Sequence, residues 1–258
     1  MTGRIAALYR HPVKGFTPEP LDAVDLAAGA HFPCDRLYTV EDGPSGFDPA
    51  APSHISKMRF AVLAKIPELA RARTLYDEDT GELSVTCDGF PPFYGRLTTG
   101  AGRAAFALWL GEFLEEQAPE DEFGAFKVLP APPGHRFTDS RKGFVSILNL
   151  DSVQELQTRL GRPIDPARFR ANVQVEGWGA WSEYGLAPGR PLRLGEVELR
   201  LLADIDRCRA THVDPSRGVL DMDMVGTLHA EYGHICCGVY AEVVQGGAVR
   251  IGDEAVAP

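Results

Sequence analysis

Apolar and polar positions alternate in short runs along most of this chain, and glycine, proline and aspartate punctuate the runs. That pattern predicts strands more often than helices. Residues 4–9 form the first, entering a turn at Pro12 and Gly15. Residues 21–26 set Leu21, Val24 and Leu26 against Asp22 and Asp25. Residues 36–40, 60–63 and 83–86 predict three more, with the polar run 77–81 as a turn between the last two and 43–52 as a loop.

The period then lengthens. Ala105, Leu108, Trp109 and Phe113 recur at helical spacing and predict an amphipathic helix over 102–116. Residues 123–134 turn rich in proline and glycine and read as a linker. A strand follows at 143–150. Ser152 with Glu155 three residues on makes a capping box. Its helix runs to about Leu160, with Val153, Leu156 and Leu160 inward and Gly161 as the stop. Residues 171–175 and 192–202 predict strands, and 239–244 with 248–251 predict a closing hairpin around Gly246 and Gly247. The fold class is therefore mostly β with α/β elements: an N-terminal β-rich domain (1–98), a connecting helix (99–122) and a β-barrel-like domain (123–258).

Composition narrows the function. The chain has 258 residues and a formal net charge of -10, which argues against nucleic acid as a partner while leaving room for a local basic cavity. Its five cysteines are odd in number, contain no CxxC pair, and include the adjacent Cys236 and Cys237, a poor spacing for zinc. A chain this long needs no disulfide staples, so a reducing compartment is expected. The start does not resemble a signal peptide, and no run is long and apolar enough to span a bilayer. A cytoplasmic protein with no membrane anchor is the expectation.

Cys208 carries the candidate chemistry. It follows an apolar run at 196–202 and lies between Arg207 and Arg209, which favour a thiolate if they approach the sulfur. Such a group is a soft ligand or a nucleophile, and its alternative is a buried structural cysteine. Lys57 and Arg59 add charge at the barrel edge or merely at the surface. His212 and Asp214 serve to shape the loop after Cys208. Trp178, Trp181, Cys236 and Cys237 are assigned to packing.

Several motifs together resemble the MOSC family: Phe169-Arg170-Ala171-Asn172, Asp206-Arg207-Cys208, Thr211-His212-Val213-Asp214-Pro215 and Gly218, with a closing run from Gly238 to Asp253. The N-terminal half resembles the β-barrel domain that precedes MOSC in the amidoxime-reducing members, through Tyr9-Arg10-His11-Pro12-Val13-Lys14-Gly15 and Asp35-Arg36. Cys34 departs from the glycine common before that pair. The resemblance implies a molybdenum-molybdopterin cofactor, with Cys208 as metal ligand and catalytic residue. It implies Lys14, Arg36, Ser146, Asn149, Arg170 and Asn172 as cofactor contacts. For the family only, it also implies an association with pyridoxal phosphate. The implied activity is reduction of a small-molecule N-oxygenated substrate, with electrons from a separate electron-transfer protein or reductase, since no Rossmann fingerprint is present. A cofactor carrier or sulfur-handling protein, and a non-catalytic module for an anionic ligand, remain the alternatives.

Overall fold

The computed structural model describes residues 1–142 and 144–258. In chain order its strands and helices are β1 (Thr2–Arg10), β2 (Glu19–Leu21), β3 (Ala23–Leu26), β4 (Tyr38–Asp42), β5 (Arg73–Asp77), β6 (Glu82–Cys87), β7 (Phe90–Arg96), α1 (Gly100–Gln117), β8 (Phe126–Pro130), β9 (Val145–Asn149), α2 (Leu150–Leu160), β10 (Val173–Glu176), β11 (Pro191–Leu194), β12 (Val197–Asp206), α3 (Met224–Tyr232), β13 (Cys236–Gln245), β14 (Gly247–Arg250) and β15 (Glu254–Val256).

Seven strands close into a barrel in the order β10-β9-β13-β12-β11-β15-β1, with β1 returning to pair with β10. Strict alternation explains the staves. In β12, Val197, Leu199 and Leu201 are buried while Glu198 and Arg200 face solvent. The inward residues meet Ile5, Leu8, Ile147, Val173 and Val239 in one core. Neighbouring strands are antiparallel except β9 and β10, which run parallel because α2 crosses between them. A second core forms where α1 packs near β7 and β8, joining Phe106, Leu110 and Phe113 to Phe16, Tyr38 and Leu83. Residues of α2 and α3 make a third, around Val153, Leu156, Met224 and Leu228.

Covalent order and spatial unit do not coincide. β1 closes the barrel of C-terminal strands, and β3 pairs with β14. The last segment therefore differs from the hairpin expected at Gly246 and Gly247: β14 leaves its predecessor and joins β3. Residues 192–202 split into β11 and β12 at a tight turn at Gly195 (φ 57). Residues 60–63 form no named strand. Phe60 makes a single bridge to Glu41, the Ala61 amide donates to the Val40 carbonyl at 2.8 Å, and the segment is buried with its apolar side chains. The linker contains β8, paired with β4, and β5 and β7 escaped the pattern, the latter because it carries Pro91 and Pro92.

Two helix assignments also change. In α1 the buried stripe is Phe106, Trp109, Leu110, Phe113 and Leu114. Ala105 is exposed and Leu108 is 71% exposed, because the helix is apolar around much of its circumference and offers more than one stripe. In α2 the cap is Asn149, whose Oδ1 accepts from the Asp151 amide at 3.1 Å. Ser152 lies inside the helix and donates to Glu183. The stop at Gly161, with φ 63, is where the sequence puts it. Gly143, first residue of the strand expected at 143–150, lies outside the described residues. No helix among the described residues is long and apolar enough to cross a membrane.

Candidate functional site

The turn after β1, the turn before β4 and the ends of β9 and β12 all open on one cleft of about 530 Å³. Seven lysine and arginine residues line it against four aspartates, in a chain whose formal charge is -10. Cys208 opens on it too, half-buried, two residues past the end of β12.

Lys14 enters from the turn after β1. Its Nζ donates to the Phe137 carbonyl at 2.8 Å and pairs with Asp139. Burial lowers its proton affinity, and Asp139 restores only part of it. Lys57 approaches the same carboxylate at 3.2 Å and lines the cleft with Cys208. Burial works against the Asp139 anion, yet Lys14 and Lys57 hold it well below the usual carboxylate range. Asp139 thus joins two cations from the N-terminal half to the wall that carries Cys208. Its Thr-Asp-Ser setting, which reads as an ordinary turn, gave no signal of this in the sequence.

Arg36 and Arg170 sit side by side. Both occupy left-handed backbone, with φ 48 and 52. Arg36 pairs with Asp35 and donates to the Arg170 carbonyl at 3.1 Å. Asp35 in turn accepts from the His11 amide at 2.8 Å. Arg170 donates to the Phe16 carbonyl at 2.6 Å and forms no ion pair among the described residues. Burial, then the positive charge of Arg36, pulls it down to about 9.

Ser146 and Asn172 face the cleft but are committed to each other. The serine hydroxyl donates to Asn172 Oδ1 at 2.8 Å and accepts from the Asn172 amide at 3.0 Å, while Asn172 Nδ2 reaches the Tyr9 carbonyl at 3.2 Å. This strut ties β9 to the segment ahead of β10 and to β1. Asn149 lies outside the cleft. Three positions from Ser146 along a strand is the opposite face, and there Asn149 Nδ2 donates to Glu183 Oε2 and to the Gly179 carbonyl, both at 2.8 Å.

The remaining candidates fall elsewhere. Arg59 and Arg209 do not line the cleft. His212 Nε2 accepts from the Val225 amide at 3.3 Å, and Asp214 accepts from the Ser216 and Arg217 amides. Both shape the loop. Trp178 is buried with its indole on the Ala255 carbonyl at 2.9 Å, and the Trp181 ring packs 4.1 Å from that of Tyr232. Burial, with Asp206 beside it, pushes the Cys236 thiol up to about 12, and burial does the same for Cys237. Among the described residues, no cluster of three histidine, cysteine or acidic side chains could hold a metal ion.

This architecture has relatives. The MOSC N-terminal beta barrel domain matches residues 2–126 and the MOSC domain matches residues 134–256. The chain belongs to the MOSC family, with both domains represented. Mitochondrial amidoxime-reducing component 1 of Mus musculus is 29% identical over 119 residues, covering 42% of this chain and 34% of that protein. Mitochondrial amidoxime reducing component 2 of Bos taurus is 29% identical over 123 residues, covering 42% and 35%. The matched stretch thus spans about a third of these relatives. The YuaD protein from Bacillus subtilis superposes with a TM-score of 0.46 at 17% identity, over 99% of this chain and 94% of that one.

Proposed function

We propose that the cleft holds a molybdenum-molybdopterin cofactor and that the protein reduces N-oxygenated small molecules. The observation carrying this reading is Arg170. Its half-buried guanidinium feels the positive charge of Arg36 and forms no ion pair among the described residues, so an anion supplied from outside the chain would add to the favourable charge of Asp139 and Asp35. The Cys208 thiol lines the same cleft. One soft thiolate suits a metal that brings its other ligands with an organic group. The names of the relatives, amidoxime-reducing components, point to the substrate class.

Bound there, the cofactor would exchange an oxygen atom and two electrons with the substrate. The chain's own share is binding and orientation. Cys208 would hold the metal through sulfur. Arg170, Arg36 and Lys14 would hold the anionic end by charge-assisted hydrogen bonds. The Ser146–Asn172 strut would keep Arg170 in register with β9. Lys57 and Asp139, which line the cleft with the thiol, would face the substrate. Reduction of an amidoxime to an amidine consumes two electrons and two protons and releases water, so the reaction needs an electron donor, a role that a separate electron-transfer protein would fill.

Expression in a host with intact cofactor synthesis tests this reading. The purified protein should contain about one molybdenum and one pterin per chain and should reduce an amidoxime with a chemical electron donor. Cys208→Ala should lose molybdenum and turnover while staying folded, because a methyl group cannot replace a soft anionic ligand. A cofactor-replete preparation without molybdenum or pterin would end the proposal. A persulfide on Cys208 would favour sulfur handling instead.

A further inference from the structure

Arg168 and Arg207 also line the cleft, and their charge invites the role given to Arg170. Their bonds assign another. The Arg168 side chain is only 4% exposed and grips Asp221 with both terminal nitrogens, Nη1 to Oδ1 at 2.8 Å and Nη2 to Oδ2 at 2.9 Å. Nη1 also donates to the carbonyls of His212 and Thr211 at 3.3 and 3.5 Å. Those carbonyls end the 3-10 turn Arg209–His212, for which Cys208 is the cap residue. Thr211 closes the connection: its amide and hydroxyl donate to the Cys208 carbonyl at 2.9 and 2.8 Å. On the other flank, Arg207 is spent on the carbonyls of Cys237 and Phe169, at 2.7 and 2.8 Å. Residues 168–170 therefore carry Arg170, which like Arg207 has no ion pair among the described residues, and hold the backbone on both sides of the thiol.

Stability alone does not explain such a pair, since well-packed apolar side chains in place of a buried ion pair are often as stable. Direction is what the fork adds. A guanidinium bound through two nitrogens fixes an angle as well as a distance, which an ammonium does not. Asp221 also meets Arg162 at 2.8 Å and Arg217 at 3.6 Å. Loss of Arg168 would therefore leave no uncompensated carboxylate, and such variants should fold.

We propose that Arg168, anchored on Asp221, is a positioning residue that fixes the Cys208 thiol relative to Arg170 and gives no charge to the ligand. The inference rests on Cys208 as the working residue of the cleft.

Three variants test it: Arg168→Met, Arg168→Lys, and Arg168→Met combined with Asp221→Leu. Molybdenum-free protein is treated with iodoacetamide, and the rates at Cys208 and Cys34 are followed by mass spectrometry after Glu-C digestion, because trypsin would cut at Arg207 and Arg209. Thermal unfolding is recorded in parallel. With its backbone released, Cys208 should alkylate about tenfold faster in all three, a barrier lowered by about 1.4 kcal/mol, while Cys34 keeps its rate. The lysine variant should behave like the methionine one, because charge without the fork does not hold the turn. The double variant should regain the melting temperature of the wild type and still alkylate fast. A wild-type Cys208 rate in the double variant would overturn the proposal. So would equal acceleration at Cys34, which would mean general loosening, or normal behaviour in Arg168→Lys. If the wild type takes up no molybdenum, the cofactor reading falls, and the alkylation rates still decide the positioning role.

Discussion

A cation withdrawn from water needs a counter-charge, and the half-buried Arg170 side chain bonds the Phe16 carbonyl and feels the positive charge of Arg36 without forming an ion pair among the described residues. That residue-scale imbalance points to an anionic ligand more directly than the total of basic residues, because Lys14, Arg36 and Lys57 all have aspartates in contact. The motif reading found Arg170 and Asn172 and missed their geometry. A strand is expected over 171–175, yet Arg170 ends a 3-10 turn with φ 52 and β10 begins only at Val173. Positive φ at Cys34, Arg36 and Arg170 has no sequence signature when the residue is not glycine. His11 gives a prediction on this scale. Its ring is fully buried, and burial, then Arg36 and Arg170, hold it at about 3 against an ordinary 6.5. Between those values the unfolded imidazole binds a proton that the folded one refuses, so stability is full above pH 6.5 and falls as pH drops towards 3. Urea unfolding should show His11 contributing a slope of up to about 1.4 kcal/mol per pH unit below pH 6. His11→Gln should flatten the profile in that window, and a mutant with the wild-type slope would show that another group sets it. Asp35 lines the cleft yet is almost wholly buried, and with His11 behind it serves as structural support for Arg36.

At the scale of elements, legibility followed amphipathic contrast. β12 and the end of α2 were visible because buried and exposed positions alternate cleanly or because glycine stops the helix. The stripe of α1 was misplaced because Ala105 and Leu108 are as apolar as the residues that pack. The start of α2 was misplaced because Ser152 and Glu155 imitate a cap, whereas Asn149 makes the bond. The same shift moves Asn149 out of the cleft and into a structural role: it caps the helix and satisfies Glu183, whose carboxyl burial pushes up. Asn149→Ala should therefore cost roughly 2 kcal/mol, from the lost cap and a less satisfied carboxylate. Denaturant unfolding measures the cost, and pterin retention under dialysis should match wild type. Weak retention in a protein of normal stability would return Asn149 to the cofactor contacts.

For the whole molecule, the decisive feature is where the N-terminus goes. β1 lies between β15 and β10, so the barrel of C-terminal strands cannot close without the first ten residues. Local pattern could not show this, since Arg4 pairs with Glu176 far along the chain and Thr2 with Val256 at its other end. The site inherits the arrangement: Lys14 and Arg36 come from the segment after β1, and Arg170 and Cys208 from the C-terminal half. Residues 123–258 alone would leave β10 and β15 with unpaired edges and remove Ile5 and Leu8 from the core. That fragment should fail to unfold cooperatively. A circular permutant should succeed. The Met1 amino group lies 2.5 Å from the Ala257 carbonyl, so a short linker can join the ends, and the exposed acidic turn at residues 119–122 offers a place to open the chain. The permutant keeps every strand pairing and should keep the cleft, which cofactor retention would report beside a sharp thermal transition. A fragment 123–258 that unfolds cooperatively would show that the C-terminal strands close without β1. The cleft would then be a junction of two independently folded parts, and its cations and its thiol could be separated without loss of fold.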